Sequence, residues 1–367
     1  MKIIFLCASL ETGRDGVGDY VKRLASELTR KGHQCEAIAL RDPFVSAETA
    51  ITSDDDGVNL RILRIPGSWP TKQRFDAAKK CVDAFNPDLL SLQFVSFGHH
   101  PKGLPFDLHK YLRYLGGTRK WHIMFHELWV GMNADADIKM KLLGWLQKKI
   151  IVNLAVKLKP LLAHTHVNLY QFKLKQNGIE AGILPLFGNL RVKINAADVD
   201  HDKPTLRFLM FGGIHYGAPI EKFVADIVNW NKQFNYRIMF VFAGSNGPEL
   251  KNWEAILQKY NIETKVLGYL SADALSSEFS IADIGITTTP EILVQKSGSV
   301  AAMKEYGLPV VCIARDWNVG GFTNQTTLIT GLEDSLTFAA KKGRKNINSS
   351  SVSDIADKFL IEIKSHG

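Results

Sequence analysis

Cysteine is scarce in this sequence, and long hydrophobic runs are missing. Only four of the 367 residues are cysteines, and they form neither a Cys-x-x-Cys pair nor the spacing of a metal site. We therefore predict reduced thiols in the core of a cytoplasmic protein, and no bound metal. No apolar run approaches the roughly 20 residues needed to span a bilayer. The apolar start of the chain is too short for a signal peptide, lacks a cleavage site and predicts a buried first strand.

Acidic residues are absent from the stretch 138–179, which contains eight lysines in a chain whose net charge is +8. Such a stretch favours an anionic membrane surface, a phosphorylated or lipid-linked acceptor, or nucleic acid. No nucleic-acid-binding motif accompanies it, so we predict no nucleic-acid partner and a cytoplasmic location that includes the inner face of a membrane. Leu142, Leu146, Ile150 and Leu154 recur every four residues, which is typical of a buried helix face. A core helix with a solvated rim therefore remains an alternative to a membrane-docking surface.

Strand-like and helix-like segments alternate along almost the whole sequence, which predicts an α/β fold with parallel sheets. The length favours two domains. The polar stretch 187–204 separates a predicted Rossmann-like domain at 1–187 from a second one at 205–345. A polar tether at 346–351 precedes a last helix at 352–367, which could pack back on the first domain. Ligands of such sheets bind at the carboxyl ends of the strands, in the cleft between two facing domains.

The most informative segment places Lys296, Ser297, Gly298 and Ser299 where a helix is predicted to begin, after an apolar strand-like run. A helix start presents free backbone N–H groups and the positive end of the helix dipole, so it attracts phosphate. The lysine adds a mobile charge, and the two serines add hydroxyl donors. The segment therefore predicts a site for a phosphate-bearing ligand such as a nucleotide diphosphate. A capped helix with a solvated lysine is the alternative.

A glycine-rich loop follows the first predicted strand and contains Gly13, Gly16 and Gly18. Three glycines allow the backbone to approach a ligand closely. Their spacing is not the Gly-x-Gly-x-x-Gly of dinucleotide-binding proteins, and no ribose-binding acid ends the second strand. An NAD-dependent dehydrogenase is therefore disfavoured. A loop with ordinary turn glycines remains an alternative to a ligand loop.

Polar or glycine-containing turns also follow several other predicted strands. His126 ends a strand in the first half, where it could hydrogen-bond a sugar hydroxyl or serve only a structural role. In the second half, Gly212 and Gly213 follow the first strand, where a phosphate or sugar would approach. The turns at Gly244 and at 269–270 could line a base pocket. Each of these signals is weak alone.

In this order, the motifs resemble those of retaining GT-B glycosyltransferases. The resemblance rests on the first loop, the strand-end histidine, Phe-Gly-Gly-Ile at 211–214, Gly-Tyr-Leu-Ser at 268–271, Ala-Asp-Ile-Gly-Ile at 282–286 and Gly-Leu-Pro-Val-Val at 307–311. It covers nearly the whole chain and is nearest to the family-4-like bacterial nucleotide-sugar transferases that build glycans and glycolipids. It implies an α/β GT-B fold, in which two Rossmann-like domains face a central cleft.

The resemblance also implies roles for individual residues. His126 would touch the transferred sugar or position the acceptor, Glu291 would contact the sugar, and Lys296 would neutralise the diphosphate. Donor contacts are implied for Gly16, Val17, Gly18, Gly212, Gly213, Gly244, Tyr269, Leu270, Ser297, Gly298 and Ser299.

The sequence departs from the family at two places. Of two glutamates that are eight positions apart in the last segment, Glu291 could supply the first, and the second has no evident replacement. The family also has an arginine and a lysine near the 213–217 turn, where Gly213 and Tyr216 stand here. Lys296 is the prime candidate to replace this charge, and Lys222 is a weaker one.

The function that the resemblance implies is transfer of a sugar from a nucleotide diphosphate to a hydroxyl acceptor, with retention and without a metal or other cofactor. The choice between a UDP and a GDP donor stays open, and the acceptor could be lipid-linked or phosphorylated. A catalytically silent GT-B paralogue that binds a partner protein is the alternative, because one glutamate and the arginine–lysine pair are missing.

Overall fold

A computed structural model describes residues 1–54, 57–188, 205–323, 328–340 and 351–366. Most of the predicted linker and of the predicted tether lies outside these residues. The chain forms two compact units. Unit 1 consists of Met1–Pro185, Asn318–Phe322 and Val352–Gly367, and unit 2 of Leu186–Trp317 and Thr323–Ser351.

The described strands and helices alternate along the chain. The strands are β1 Lys2–Cys7, β2 Gln34–Asp42, β3 Thr49–Asp54, β4 Asn59–Pro66, β5 Leu89–Phe94, β6 Lys120–Phe125, β7 Leu162–Thr165, β8 Gly182–Ile183, β9 Thr205–Phe211, β10 Arg237–Ala243, β11 Glu263–Gly268, β12 Ile284–Thr287 and β13 Val310–Cys312. The α-helices are α1 Gly16–Arg30, α2 Thr71–Phe85, α3 Ser96–His99, α4 Leu108–Gly116, α5 Ile138–Leu158, α6 Asn168–Lys175, α7 Ile220–Asn231, α8 Leu250–Lys259, α9 Ala272–Ile281, α10 Gly298–Glu305, α11 Leu332–Ala340 and α12 Val352–His366.

Unit 1 is built on an eight-stranded sheet in the order β3-β4-β2-β1-β5-β6-β7-β8. Its strand pairs are parallel except for the edge pair β3–β4. The central strands β1 and β5 read as almost continuous apolar runs because helices cover both faces of such a sheet. Helix α12 returns to pack on α1, and its Phe359 ring lies 6.4 Å from that of Phe5.

Unit 2 contains a five-stranded parallel sheet in the order β11-β10-β9-β12-β13. Successive side chains of β9 point to opposite faces, so Phe208 enters one hydrophobic cluster and Leu209 the other. The strand order reverses between β9 and β12. At such a switch point the following loops diverge and leave a crevice at the carboxyl ends of the strands.

Several elements differ from those that the sequence predicts. Helix α5 begins at Ile138, whereas the sequence pattern predicts a start at Ala134. Strand β3, helix α4 and helix α11 are not predicted at all. A 3₁₀ helix covers Glu291–Lys296, and Asn318–Phe322 lies in unit 1, within the range that the sequence assigns to the second domain.

Candidate functional site

The turn after β9 lies against the start of α10. Gly212 adopts φ +92°, which favours glycine, and a Cβ on it would lie 2.9 Å from Oγ of Ser299. The Gly212 N–H donates to the Ala243 carbonyl at 3.0 Å, and the Asn246 amide donates to the Gly212 carbonyl at 2.8 Å. The fold therefore brings together Gly212 and Ser299, two predicted donor contacts that are far apart in sequence.

Helix α10 begins where the sequence predicts a helix start. Its N-cap is Ser297, whose Oγ accepts a hydrogen bond from the Val300 N–H at 3.4 Å. The helix sits close to the sheet because β12 has a glycine, Gly285, where Met303 of the helix packs. The N–H groups of Gly298 and Ser299 belong to the first turn of the helix, where backbone N–H groups have no carbonyl acceptor within the helix. A neutral cap leaves the positive end of the helix dipole without a carboxylate of its own.

Three basic side chains lie near one another at the turn after β9. The His215 N–H donates to Oγ1 of Thr288 at 2.9 Å, and the ring nitrogen Nδ1 lies 3.0 Å from the same oxygen. Burial lowers the pKa of His215, and the nearby charges of Lys296 and Arg315 lower it further. A Cβ on Gly217 would lie 3.5 Å from Cδ of Arg315. We call Lys296, Arg315 and His215 the basic cluster.

Sequence analysis missed Arg315. It follows β13, whereas the residues predicted to replace the family's arginine and lysine are Lys296 and Lys222. Arg315 could have been predicted as a site residue from its position just after the last parallel strand. The carboxyl ends of all strands of a parallel sheet lie at the same edge. Lys222 on α7, the weaker candidate, is exposed and pairs with Asp226 at 3.1 Å.

The remaining predicted donor contacts of unit 2 lie at the ends of neighbouring strands. The N–H of Gly244 donates to the Gly268 carbonyl at 2.7 Å, which joins the turns after β10 and β11. The adjacent Tyr269 is exposed, and Leu270 packs against the hydrophobic core. Glu291 is exposed and opens the 3₁₀ helix. Together with Gly213 beside Gly212, these residues follow four of the five strands of the sheet.

The glycine-rich loop of unit 1 has different electrostatics. Oδ1 of Asp15 caps α1 by accepting hydrogen bonds from the N–H groups of Val17 at 2.9 Å and Gly18 at 3.4 Å. Burial raises the pKa of Asp15. A Cβ on Gly18 would lie 2.7 Å from the Ser9 carbonyl oxygen, so this glycine permits close packing, whereas nothing lies within 4 Å of a Cβ on Gly16. An anionic ligand at these N–H groups would have to displace the carboxylate.

His126 lies in a buried network at the end of β6, with 7 % of its surface exposed. Its Nε2 lies 2.9 Å from Oε1 of Gln93, and its Nδ1 lies 3.1 Å from Nε2 of His166. The other nitrogen of His166 donates to the Leu184 carbonyl at 2.7 Å. Tyr20 of α1 packs edge-on against both imidazole rings. A hydrogen bond from His126 to a sugar would therefore replace one of these contacts.

The network continues across the sheet. The amide of Gln93 donates to Ser91 at 2.7 Å, and the hydroxyl of Ser91 lies 2.8 Å from Nδ1 of His122. Nε2 of His122 lies 3.0 Å from Nδ1 of His164, and Nε2 of His164 hydrogen-bonds the carboxylate of Glu362 on α12. Burial lowers the pKa of His122 and of His164. We call the whole series, from Leu184 to Glu362, the histidine chain.

Helix α5 carries apolar side chains on two opposite faces. Ile150 and Leu154 are buried, as the four-residue pattern predicts, but Leu142 is 61 % exposed, so the pattern was wrong there. Exposed Ile138, Leu142, Trp145 and Val156 fall on one side of the helix at its 3.6-residue period. The ammonium group of Lys149 lies 3.9 Å from the centre of the Trp145 ring. We call this side the exposed apolar stripe.

Two further findings concern metals and membranes. Within the described ranges, no three or more His, Cys, Asp and Glu side chains are grouped to hold a metal ion. None of the helices that the structure describes is both long enough and apolar enough to cross a bilayer.

Comparison with known proteins identifies the fold. No protein-family model matches the sequence, and no curated protein matches it significantly. A glycosyltransferase from Rickettsia africae is 14% identical with a TM-score of 0.58, covering 100% of this chain and 98% of that one. HepE from Anabaena, solved in complex with UDP-glucose, is 14% identical with a TM-score of 0.54 over 100% and 98% of the chains. A protein provisionally named a UDP-N-acetylglucosamine 2-epimerase from Listeria monocytogenes is 12% identical with a TM-score of 0.59 over 100% and 96%.

At these identities the likeness shows the fold alone. The chain has the α/β fold with two Rossmann-like parallel sheets that GT-B proteins share, as its sequence predicts. Because a transferase and a protein provisionally named an epimerase both match along nearly their whole lengths, the reaction must be argued from the residues of the site.

Proposed function

We propose that the protein is a retaining, family-4-like GT-B glycosyltransferase with a Lys-Ser-Gly-Ser variant of the donor loop. The observation that carries the proposal is the basic cluster beside the neutral-capped start of α10, at the switch point of unit 2. The structural similarity to HepE, which was solved with UDP-glucose, supports a nucleotide-sugar donor. The donor contacts predicted within unit 2 follow the strands of this same sheet, whereas Gly16, Val17 and Gly18 lie in unit 1.

The proposed work of unit 2 is to stabilise the leaving diphosphate. As the bond from the anomeric carbon to the phosphate breaks, negative charge builds up on the phosphate oxygen. Lys296 and Arg315 supply opposite charge, and Ser297, Gly298 and Ser299 supply hydroxyl and backbone N–H donors. Donors fixed in place before the reaction stabilise developing charge without reorganising, so this is electrostatic catalysis. The proposal uses no metal and no cofactor besides the nucleotide-sugar substrate.

We propose that retention results from attack on the front face of the sugar. The acceptor oxygen forms its bond to the anomeric carbon on the side from which the diphosphate departs, and the departing phosphate oxygen takes the acceptor proton. Glu291 would contact the transferred sugar, and the turns at Gly244 and Tyr269 would hold the base. His126 would act on the acceptor side from its place in the histidine chain.

Nucleotide titration by calorimetry tests the donor assignment on the full-length chain. We expect UDP or GDP to bind with 1:1 stoichiometry, and Lys296→Ala and Arg315→Ala each to weaken binding at least tenfold, or about 1.4 kcal/mol. Lys222→Ala is the matched control, because that lysine is exposed and paired with Asp226. If neither nucleotide binds, the enzyme assignment fails and the silent-paralogue alternative gains support.

A screen of nucleotide sugars with detection of the released nucleotide then tests the reaction. We expect one donor to turn over, slowly with water and faster with a hydroxyl acceptor. The anomeric configuration of the product, read by NMR, decides between retention and inversion. An epimerised nucleotide sugar in place of a transfer product would overturn the proposal.

We further propose that the exposed apolar stripe docks on an anionic membrane, as expected of an enzyme of glycan or glycolipid assembly. Lysines flank exposed apolar side chains and a tryptophan on α5, which is the composition of interfacial helices. Vesicles containing phosphatidylglycerol should sediment the protein, and pure phosphatidylcholine vesicles should not. Trp145→Ser should reduce sedimentation several-fold. Ile361→Ser, which removes an exposed apolar side chain from α12, should leave it unchanged. Equal sedimentation with both kinds of vesicle would contradict docking.

A further inference from the structure

Unit 1 contains a pocket that the donor site does not use. It has a volume of about 520 Å³ and lies at the carboxyl ends of β2 and β4, closed by α2, α4 and the segment after β5. This volume is in the range of small-molecule sites. Four basic side chains line it: Arg41, Arg74, His99 and His100.

Arg74 is a buried guanidinium that is bound only by neutral groups. It donates to the carbonyls of Trp69 at 3.1 Å and Leu40 at 2.9 Å, and to the hydroxyl of Thr71 at 3.0 Å. Among the described residues, no carboxylate is paired with it, and the titratable groups that act on it are Arg41 and Tyr111. Burial lowers the pKa of Arg74, and the positive charge of Arg41 lowers it further. A buried charge without a counter-ion is costly, so the fold maintains a positive potential here that an anion would relieve.

Arg41 and His100 add donors to the same wall. The guanidinium of Arg41 donates to the Gly98 carbonyl at 3.3 Å, which leaves it further donor hydrogens. Nδ1 of His100 accepts hydrogen bonds from the N–H groups of Lys102 at 3.1 Å and Leu104 at 3.3 Å. The neutral ring therefore carries its hydrogen on Nε2, as a donor.

His99 contributes a polar atom without a partner. The residue is 8 % exposed, and no hydrogen-bonding partner for its Nε2 occurs in the part of the chain that the structure describes. Burial, with the charges of Arg74 and Arg41, lowers the pKa of this imidazole to about 4. The ring also donates a hydrogen bond to the Gln93 backbone through its other nitrogen, so Nε2 of the neutral ring is an acceptor. A buried acceptor without a partner requires a hydroxyl group of a ligand or of solvent.

Two aromatic rings also line the pocket. Phe75 and Tyr111 stack with ring centres 5.1 Å apart, and both line the pocket. The one acidic residue of the lining, Asp107, is exposed and already pairs with Lys110 at 2.8 Å. The pocket thus combines two arginines with a stacked pair of aromatic rings.

We propose that this pocket binds the oxyanion of a small organic anion, a phosphate monoester or a carboxylate, between Arg41, Arg74 and the Nε2–H group of His100. The rest of the ligand packs on the stacked pair Phe75–Tyr111. This ligand is the acceptor of the sugar transfer, or an anionic group at one end of a larger acceptor. That assignment rests on the proposed function. The binding of an oxyanion does not rest on it.

Calorimetric titration of the full-length chain with phenyl phosphate and with benzoate tests the proposal. At least one should bind, and the one that binds more tightly identifies the source of the oxyanion. Arg41→Gln should weaken that binding at least tenfold. Arg61→Gln, which removes an exposed arginine of β4 outside the pocket, should change it less than twofold. Lys296→Gln should also leave it unchanged, which separates this pocket from the donor site. If neither probe binds at millimolar concentration, or if Arg61→Gln is as harmful as Arg41→Gln, the proposal is wrong.

Chemical modification tests the same pocket without any substitution. Phenylglyoxal should modify Arg41 in the wild-type chain, and bound phenyl phosphate should slow that modification but not the modification of Arg61. Equal rates with and without the probe, measured by peptide mass spectrometry, would contradict the proposal. Titration of the wild-type chain with UDP and GDP, beside phenyl phosphate and benzoate, separates the two hypotheses. Nucleotide binding without anion binding overturns the pocket alone, and anion binding without nucleotide binding overturns the transferase assignment alone.

Discussion

The two glycine-rich turns of the molecule occupy corresponding places in their sheets and have opposite electrostatics. In unit 1, the loop after the central strand β1 leads into α1, and Asp15 occupies the N–H groups at that helix start. In unit 2, the turn after the central strand β9 lies against α10, whose cap is the neutral Ser297 and whose neighbours are basic. Glycine content alone therefore does not identify a phosphate site; the group that already occupies the helix start does.

The largest expected difference between the two turns concerns catalysis. Lys296→Ala should lower kcat/KM for sugar transfer about 100-fold, or about 2.7 kcal/mol of transition-state stabilisation, because it removes a charge at the leaving diphosphate. Lys22→Ala in unit 1 should change kcat/KM only slightly, since Lys22 lies 3.1 Å from Asp19 and serves the loop itself. An assay of released nucleotide measures kcat/KM for both variants. An Lys296→Ala enzyme within tenfold of wild type would remove that lysine from the mechanism.

The next largest effect concerns the glycines. Gly212→Val should weaken nucleotide binding more than tenfold and destabilise the protein by roughly 1–3 kcal/mol, because φ is +92° and a Cβ would press on Ser299. Gly16→Ala should change stability by no more than about 0.5 kcal/mol, since its φ is ordinary and no atom lies within 4 Å of the new Cβ. Urea unfolding and calorimetry provide the two measurements. If Gly16→Ala abolishes nucleotide binding while Gly212→Val preserves it, the assignment of the donor to unit 2 is reversed.

Removal of the two helix caps should have similar effects on stability and different effects on nucleotide binding. Ser297→Ala and Asp15→Ala should each cost ~1 kcal/mol of stability, because each removes a side chain that caps a helix N-terminus. Ser297→Ala should also weaken nucleotide binding, whereas Asp15→Ala should leave it unchanged. Thermal unfolding with and without UDP or GDP separates the effects, because a ligand that binds only the native state raises the Tm. Loss of the nucleotide-dependent shift in Asp15→Ala would show that both turns meet the donor.

The smallest effect is a change in the titration of His215. Burial, Lys296 and Arg315 lower the pKa of this imidazole, so removal of one positive neighbour in Lys296→Ala should raise it toward the ordinary value. A bound nucleotide diphosphate should raise it as well, because it adds negative charge. NMR titration of the ring protons measures the shift, with Lys222→Ala as control. An unchanged titration in Lys296→Ala would place the lysine away from His215.

The sequence was sufficient to predict the elements whose signals are local. The apolar runs of β1 and β9 and the helix start at Ser297 need only neighbouring residues to be recognised. Strand β3 was missed because Thr49–Asp54 is a mostly exposed edge strand without an apolar pattern of its own. It pairs with β4 through backbone hydrogen bonds, which do not require particular residue types and so cannot be recognised from the sequence.

The candidate site was predictable only where one segment supplied it. Lys296 to Ser299 form a continuous motif. Arg315 comes near this motif only because β13, which precedes it, pairs with β12 in the sheet. The burial of His126 depends on Gln93 and His166, which reach it from the neighbouring strands β5 and β7. Relations of this kind follow from strand order, which periodicity does not determine.

The histidine chain has a consequence for the number of protons that unit 1 holds. Its two ends, the Leu184 carbonyl and the Glu362 carboxylate, are both acceptors, whereas each neutral group between them donates in one direction and accepts from the other. Gln93 sets the direction of the row, because its oxygen accepts from Nε2 of His126 while its amide donates to Ser91. Every link from His126 to Glu362 therefore donates toward the carboxylate, whereas His166 donates the other way, to Leu184. In the neutral rings, Nδ1 of His126 and Nε2 of His166, 3.1 Å apart, are then both acceptors, and one hydrogen shared between them would complete the row.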